Sequence, residues 1–128
     1  MPTVILRPTI ASDLSSVIGE PLPFRIKALT VVIDGKVMGV GGIGFPPGGP
    51  VVAFVQQAPG ATMYPVTFHR AGLAAMRMIR ESGAPHVVAT TDADPDGAGV
   101  RWLKRLGFVE ARAEFQDIPG KTVFVWSR

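Results

Sequence analysis

The sequence predicts one α+β domain, a fold class supported by the order of its elements and by two local signals. Apolar runs of strand length alternate with three helical segments, in the order strand, helix, two hairpin strands, strand, helix, strand, helix, two strands. The dipeptide Asp34-Gly35 stands between two apolar runs and favours a tight hairpin turn. Residues 86–108 predict a strand, an acidic turn and a helix that stops at Gly107.

Length and composition indicate a single domain with much apolar surface for its size. The chain has 128 residues, of which 47% are hydrophobic, and its mean hydropathy is +0.30. We therefore expect a ligand, a second copy of the chain or a larger assembly to cover part of its surface. No apolar run reaches the ~18 residues that span a bilayer, and the start shows no secretory leader pattern. We expect no membrane partner and a cytoplasmic location, or a virion-associated one if the gene belongs to a phage.

Charge and residue counts argue against several classes of function. The formal net charge is +3, and the basic residues are dispersed, so we expect no nucleic-acid partner. The chain has no cysteine, which excludes disulfides, thiolate metal sites and a cysteine nucleophile. With two histidines and no cysteine, a metal site is not expected.

The first part of the chain predicts a short strand and a capped helix. The strand covers residues 3–6, and the helix covers residues 9–18 with Thr9 or Ser12 as its N-cap and Asp13 in its first turn. Prolines follow the helix and prevent its continuation.

Glycines follow the predicted hairpin turn in quick succession over residues 39–44. A phosphate-binding loop needs a helix directly after its glycines, and here a Pro-Gly turn follows instead. A strand that bends, or that is approached closely by another backbone, is the favoured interpretation. Val51–Gln57 predicts the next strand.

A second helix is predicted from Pro65 to about Ser82, with Gly83 as its stop. Four of its apolar residues are expected to face a core: Val66, Leu73, Ala75 and Met76. Arg70, Arg77 and Arg80 form a stripe on another face, which is either solvated or a docking surface for an acidic partner.

The last part predicts a third helix beginning at Pro95, with Val100, Leu103 and Leu106 on one face. Two strands follow, over residues 109–115 and 121–126, joined by a turn through residues 117–120.

The strand, acidic turn and helix that ends in Leu-Gly-Phe resemble the C-terminal half of the GNAT N-acetyltransferase superfamily. The matching residues are Asp96, Gly99, Trp102, Leu106, Gly107 and Phe108. The resemblance extends over nearly the whole element order and implies a mixed, mainly antiparallel sheet of six to seven strands with about three helices. The family's usual second helix, one wall of its acceptor cleft, is missing. An unrelated α+β domain is the alternative fold.

The resemblance implies acetyl-CoA as cofactor. Its acetyl-pantetheine arm would lie beside Val55, Gln56 and Gln57, and its phosphates beside the amides of Val66, Thr67 and Phe68, with Asp96 and Trp102 also in the site. The family's glycine motif fits only residues 69–74, which lie inside the predicted helix, where amides are already bonded. We therefore interpret Gly72 as a helix-to-sheet contact and His69 as a partly exposed helix residue.

The usual catalytic positions of the family hold unsuitable residues here. Gln56 and Gln57 stand where relatives carry a glutamate base, and Leu103 stands where they carry a tyrosine acid. The substitutes are Glu20, Tyr64 and Asp92. We expect an N-acetyltransferase with an unidentified amine acceptor; the alternative is an inactive GNAT-fold binding or structural protein, such as a subunit of a phage-type virion or other assembly.

Overall fold

The described part of the computed structural model comprises residues 3–17, 24–58, 60, 64–92, 98–116 and 119–128. It contains three α-helices, α1 (Ala11–Val17), α2 (Pro65–Glu81) and α3 (Ala98–Arg105). It also contains seven strands: β1 (Val4–Pro8), β2 (Arg25–Ile33), β3 (Lys36–Phe45), β4 (Val51–Gln57), β5 (His86–Asp92), β6 (Val109–Glu110) and β7 (Lys121–Ser127).

The seven strands form one sheet in the order β1-β2-β3-β4-β5-β7-β6. The neighbours β4 and β5 are parallel, and all the others are antiparallel. This confirms the predicted α+β fold with a mainly antiparallel sheet and three helices.

The hairpin between β2 and β3 turns at the predicted dipeptide. Asp34 has φ 50° and Gly35 has φ 79°, the positive values that a tight hairpin turn requires of both central residues. The Asp34 carboxylate also accepts a hydrogen bond from the Thr3 amide at 2.8 Å, which ties the start of the chain to the turn.

The glycines of β3 belong to an extended strand that other groups approach closely, as the sequence predicts. A Cβ on Gly39 would lie 2.5 Å from Cε1 of Phe68, so only hydrogen leaves room for the α2 ring. A Cβ on Gly42 would overlap the carbonyl oxygen of Lys27 on β2. The β2–β3 register also shifts between Val31 and Val32, an irregularity that bends the hairpin.

Helix α1 begins differently from the prediction. The Ile10 amide, just before the helix, donates a hydrogen bond to the Asp13 carboxylate at 2.9 Å. The Thr9 hydroxyl is hydrogen-bonded to the Thr30 hydroxyl instead. Among the described hydrogen bonds, neither Thr9 nor Ser12 caps the helix through its side chain, so the predicted cap is wrong: the acid at the third helical position reaches back to the helix start.

Helix α2 has its predicted length, and Gly83 ends it with φ 78°. Met76 is buried, as expected, but Val66 and Leu73 are 64% and 49% exposed. The prediction that these two face a core is therefore wrong. Phe68, Gly72, Met76, Met78 and Ile79 are the buried residues of this helix.

Helix α3 closes as predicted, with Gly107 at φ 102°. The Phe108 amide donates to the Leu103 carbonyl at 3.0 Å, and the Gly107 amide donates to the Lys104 carbonyl at 3.1 Å. This pair of bonds is the Schellman arrangement, which satisfies the last carbonyls of a helix.

Strand β6 is shorter than predicted. It covers only Val109–Glu110, and Ala113–Phe115 form a 3₁₀ turn. The reason is Gln116, whose side chain donates to the Val123 carbonyl at 3.0 Å and accepts from the Val123 amide at 2.8 Å. These side-chain bonds occupy the β7 groups that a longer β6 would need.

Two hydrophobic clusters hold the helices on the sheet. The larger combines residues of α2 and α3 with buried side chains of the sheet, including Ile43, Val87 and Phe124. The smaller joins Phe68 of α2 to the β2–β3 hairpin. Both clusters anchor α2, which packs mainly on β3 and β2.

Candidate functional site

The sheet is incomplete between its two central strands. Strands β4 and β5 pair only at Val51 with Val87 and at Val52 with Val88. Beyond these two pairs, β4 continues along β3 and β5 continues along β7, and the two central strands separate. In the described structure, the main-chain groups of residues 53–57 that face β5 have no sheet partner, so this gap holds free donors and acceptors.

A cleft of about 770 Å³ opens at this gap. Strand β4 contributes Val55 and Gln57, and β5 contributes Thr90 and Thr91. Helix α2 lines it with Pro65, Phe68, His69, Gly72 and Met76, and α3 lines it with Gly99, Arg101, Trp102 and Arg105. The predicted residues Val55, Gln57, Phe68 and Trp102 are therefore brought together in one cleft.

At the start of α2, two amides, not the predicted three, have no acceptor among the described residues. Pro65 has no amide hydrogen, and the Phe68 amide already donates to the Tyr64 carbonyl at 3.1 Å. The prediction that the Phe68 amide binds an anion is therefore wrong; its ring is what lines the cleft. The amides of Val66 and Thr67 lie in the first turn, where helix geometry provides no acceptor, and none of the described groups accepts from them.

Gln56 differs from its two neighbours on β4. It pairs with Val40, whereas Val55 pairs with Gly41 and Gln57 with Gly39. Because alternate side chains of a strand point to opposite faces, the Gln56 side chain lies on the face away from Val55 and Gln57. Its main chain still belongs to the stretch beside the gap.

Trp102 forms the contact between α2 and α3. A Cβ on Gly72 would lie 2.7 Å from Cζ2 of Trp102 and 3.4 Å from Cδ1 of Leu106. Gly72 is thus a helix-to-helix contact, and the prediction of a helix-to-sheet contact is wrong. The indole is half-buried and closes one wall of the cleft.

His69 is more involved in the cleft than the sequence suggests. It lies half-buried in the cleft wall, and its Nδ1 is buried with no hydrogen-bond partner in the described structure. A buried polar atom of this kind costs about 1–3 kcal/mol until a partner is supplied. The sequence feature that indicates this position is helical spacing, since His69, Gly72 and Met76 follow the i, i+3, i+7 pattern of one helix face.

The proposed catalytic residues are placed differently from one another. Tyr64 is half-buried against the Phe68 cluster rather than in the cleft wall. Asp92 ends β5, in register with Lys121 and one residue after the cleft residue Thr91, and only its backbone is described. Glu20 and the predicted cofactor residue Asp96 lie outside the described residues.

The charged side chains in the described wall of the cleft are Arg101 and Arg105. The charge of Arg105 makes this part of the described wall positive. Within the described ranges, no group of three or more His, Asp or Glu side chains could hold a metal ion. No helix in these ranges is long and apolar enough to cross a membrane.

Comparison with known proteins identifies the fold. No protein-family profile and no curated protein sequence matches the chain. Solved structures do match over almost the whole chain. An acetyltransferase from Streptococcus agalactiae has a TM-score of 0.71 at 12% identity, covering 98% of each chain.

Two further structures extend this comparison. A protein assigned as a GNAT-family acetyltransferase from Desulfovibrio desulfuricans has a TM-score of 0.68 at 14% identity, covering 98% of this chain and 99% of that one. A protein assigned as a streptothricin acetyltransferase from Bacillus anthracis, in complex with acetyl coenzyme A, has a TM-score of 0.70 at 10% identity with the same coverage.

These similarities, with the parted central strands, place the molecule in the class of mixed-sheet α+β proteins that carry a cleft inside the sheet. The chain has the fold of the GNAT superfamily, which confirms the resemblance predicted from its sequence. Because the identities are this low, the comparison establishes the fold alone.

Proposed function

We propose that this protein is an acetyl-CoA-dependent N-acetyltransferase acting on an amine. The observation that carries the proposal is the gap between β4 and β5. An extended, amide-bearing ligand can enter such a gap and pair with the free main-chain groups of residues 53–57 as an added strand does. A solved structure of the same fold with bound acetyl coenzyme A supports this choice of ligand.

The residues around the gap suit the parts of such a ligand. Val55, Phe68 and Trp102 give the cleft apolar walls for an acyl group and its thioester arm. The amides of Val66 and Thr67, which have no acceptor among the described residues, lie at the positive end of α2 and suit phosphate oxygens. The positive charge of Arg105 acts in the same direction. When bound, acetyl-CoA would supply an activated acetyl thioester.

The contribution of the described cleft wall to catalysis is positioning. The described cleft wall contains no carboxylate and no tyrosine, and the main chain of β4 is the element that would orient the thioester carbonyl. Proton transfer by Glu20, Tyr64 or Asp92 stays part of the proposal. Without a base in the site, an acceptor amine would react in its neutral form, so the rate would rise with pH up to the pKa of that amine.

Calorimetric titration with acetyl-CoA tests the cofactor site. We expect a micromolar Kd for the unchanged protein, and binding at least about tenfold weaker for Thr67→Asp, because the new carboxylate repels phosphates at the start of α2. Thr67→Asn is the matched control, since it has nearly the same shape without the charge, and its Kd should stay within about threefold.

Absence of binding heat at several temperatures, with no thermal shift at millimolar acetyl-CoA, would contradict the proposal. Equal loss of affinity in both Thr67 variants would contradict the proposed phosphate position but not the binding of acetyl-CoA.

A further inference from the structure

The exposed side of α2 carries an ordered stripe of side chains. Val66, Arg70, Leu73, Arg77 and Arg80 follow the spacing i, i+4, i+7, i+11, i+14 and are all exposed. At 100° per residue, they fall within an arc of about 80° along about 21 Å of helix. We call these five residues the α2 stripe.

The stripe is positively charged and contains no acid. The ion pairs of Arg7 with Asp13 and of Arg112 with Glu114 both lie away from α2. The guanidinium of Arg128 donates to the Arg80 carbonyl, which brings a fourth positive charge to the end of the stripe. Like charges one turn apart, such as Arg77 and Arg80, repel each other slightly, whereas Arg80 alone suits the last turn of α2, where the helix dipole favours a cation.

The apolar members of the stripe are unusual for a solvated helix face. Val66 and Leu73 are 64% and 49% exposed and stand two turns apart, about 10 Å along the axis. This is the spacing of anchor residues where one helix docks on another. Arg70 lies between them and Arg77 follows one turn later, so apolar anchors and guanidinium groups share one line.

We propose that the α2 stripe docks an acidic amphipathic helical segment of a partner protein. Carboxylates of the partner would pair with Arg70, Arg77 and Arg80, since arginine binds carboxylates in a fixed two-point geometry. Apolar residues of the partner would pack against Val66 and against Leu73. The stripe lies on a different face of α2 from the buried cleft residues Phe68, Gly72 and Met76. Val66 is shared with the acetyltransferase proposal, since its side chain belongs to the stripe and its amide to the proposed phosphate site.

Charge complementarity selects this occupant over others. Two copies of the chain meeting through the same stripe would place arginine against arginine, which a symmetric interface does not favour. A nucleic-acid backbone would use the arginines but gives Val66 and Leu73 nothing to pack against. An acidic helix uses both kinds of side chain.

A designed peptide tests the proposal. The probe is a fluorescein-labelled helical peptide of 22 residues with glutamates and leucines at the spacing complementary to the stripe, compared by fluorescence anisotropy with a scrambled peptide of the same composition. We expect the patterned peptide to bind at least about tenfold more tightly. The triple variant Arg70→Gln/Arg77→Gln/Arg80→Gln should lose about tenfold or more, and Leu73→Ser about fivefold.

Controls separate specific docking from general charge. The matched variant Lys36→Gln/Lys104→Gln/Arg112→Gln removes the same charge from other exposed positions and should keep the affinity within about twofold. Far-UV circular dichroism and a thermal melt check that each variant is folded. Equal affinity for both peptides, or an equal loss in the control variant, would overturn the proposal. Tighter binding of phosphatidylserine vesicles or duplex DNA, dependent on the stripe, would overturn it in favour of that occupant.

Discussion

A single buried carboxylate connects three elements at the edge of the sheet. Asp13 is 2% exposed and accepts from two guanidinium nitrogens of Arg7, at 2.6 and 2.9 Å. It also accepts from the Ile10 amide and from the Thr30 hydroxyl, each at 2.9 Å. The hydrogen bonds from Arg7 are the main reason that the pKa of Asp13 falls to about 2, and they outweigh its burial, which acts in the opposite direction.

The lowered pKa predicts a stability change in acid. The contribution of Asp13 is complete above its unfolded pKa of about 4 and is lost as the pH falls through the folded pKa of about 2. Urea titrations at pH 6, 4 and 2 measure it. We expect Asp13→Asn to destabilise the protein by about 2 kcal/mol at pH 6 and by much less at pH 2.

The control for this prediction is Asp34→Asn, since Asn also accepts the positive φ of the hairpin turn. An Asp13→Asn penalty that is the same at pH 6 and pH 2 would show that the carboxylate charge contributes nothing.

At the scale of elements, the β2–β3 hairpin depends on two glycines that look alike in the sequence. Gly41 and Gly42 differ in what a side chain would meet. A Cβ on Gly42 would overlap the main chain of Lys27 and Ala28. A Cβ on Gly41 would lie 3.1 Å from Cγ2 of Val55 and 3.3 Å from the Phe54 carbonyl oxygen, contacts that a shift of a few tenths of an ångström relieves. The backbone of β2 cannot move aside in this way.

This difference predicts unequal effects of two neighbouring substitutions. Gly42→Ala should destabilise the fold by about 3 kcal/mol, or prevent folding, because main-chain atoms must shift. Gly41→Ala should cost less than about 1 kcal/mol. Thermal melts of both variants give the comparison, and a Gly42→Ala protein as stable as the unchanged one would contradict the close approach of β2 to β3.

The elements were predictable where local chemistry decides them. The sequence predicted a turn at Asp34-Gly35, a helix start at Pro65 and a helix end at Gly107, and the structure has all three. The predictions failed where a distant partner decides the outcome. The side chain of Gln116 shortens β6, and the Trp102 ring on α3 determines the role of Gly72; neither contact shows in local periodicity.

At the scale of the whole molecule, the sheet consists of two parts, β1 to β4 and β5 to β7, joined by two residue pairs and by the cluster beneath α2 and α3. The cleft lies where these parts separate. Part of its wall was predicted from the family resemblance, since Val55, Gln57, Phe68 and Trp102 line it, but the place of His69 was not. His69 lines the cleft because of the register of α2 on the sheet, and that register depends on packing partners far away in the chain.

The separated strands predict a pattern of amide hydrogen exchange. Those amides of residues 53–57 that face the gap should exchange quickly in the free protein, because they have no sheet partner in the described structure. Saturating acetyl-CoA should slow them by about a hundredfold if the cofactor pairs with them. Amides between β2 and β3, which are already bonded, serve as the internal control. Unchanged exchange at residues 53–57 with ligand bound would place the ligand elsewhere.

The gap between β4 and β5 also affects how the chain can evolve. Its polar groups belong to the main chain, and every residue except proline carries the same amide and carbonyl. Substitution along β4 therefore alters the shape of the cleft wall while leaving those hydrogen-bonding groups in place. A site built in this way is inherited with the path of the backbone and survives extensive drift of the side chains around it.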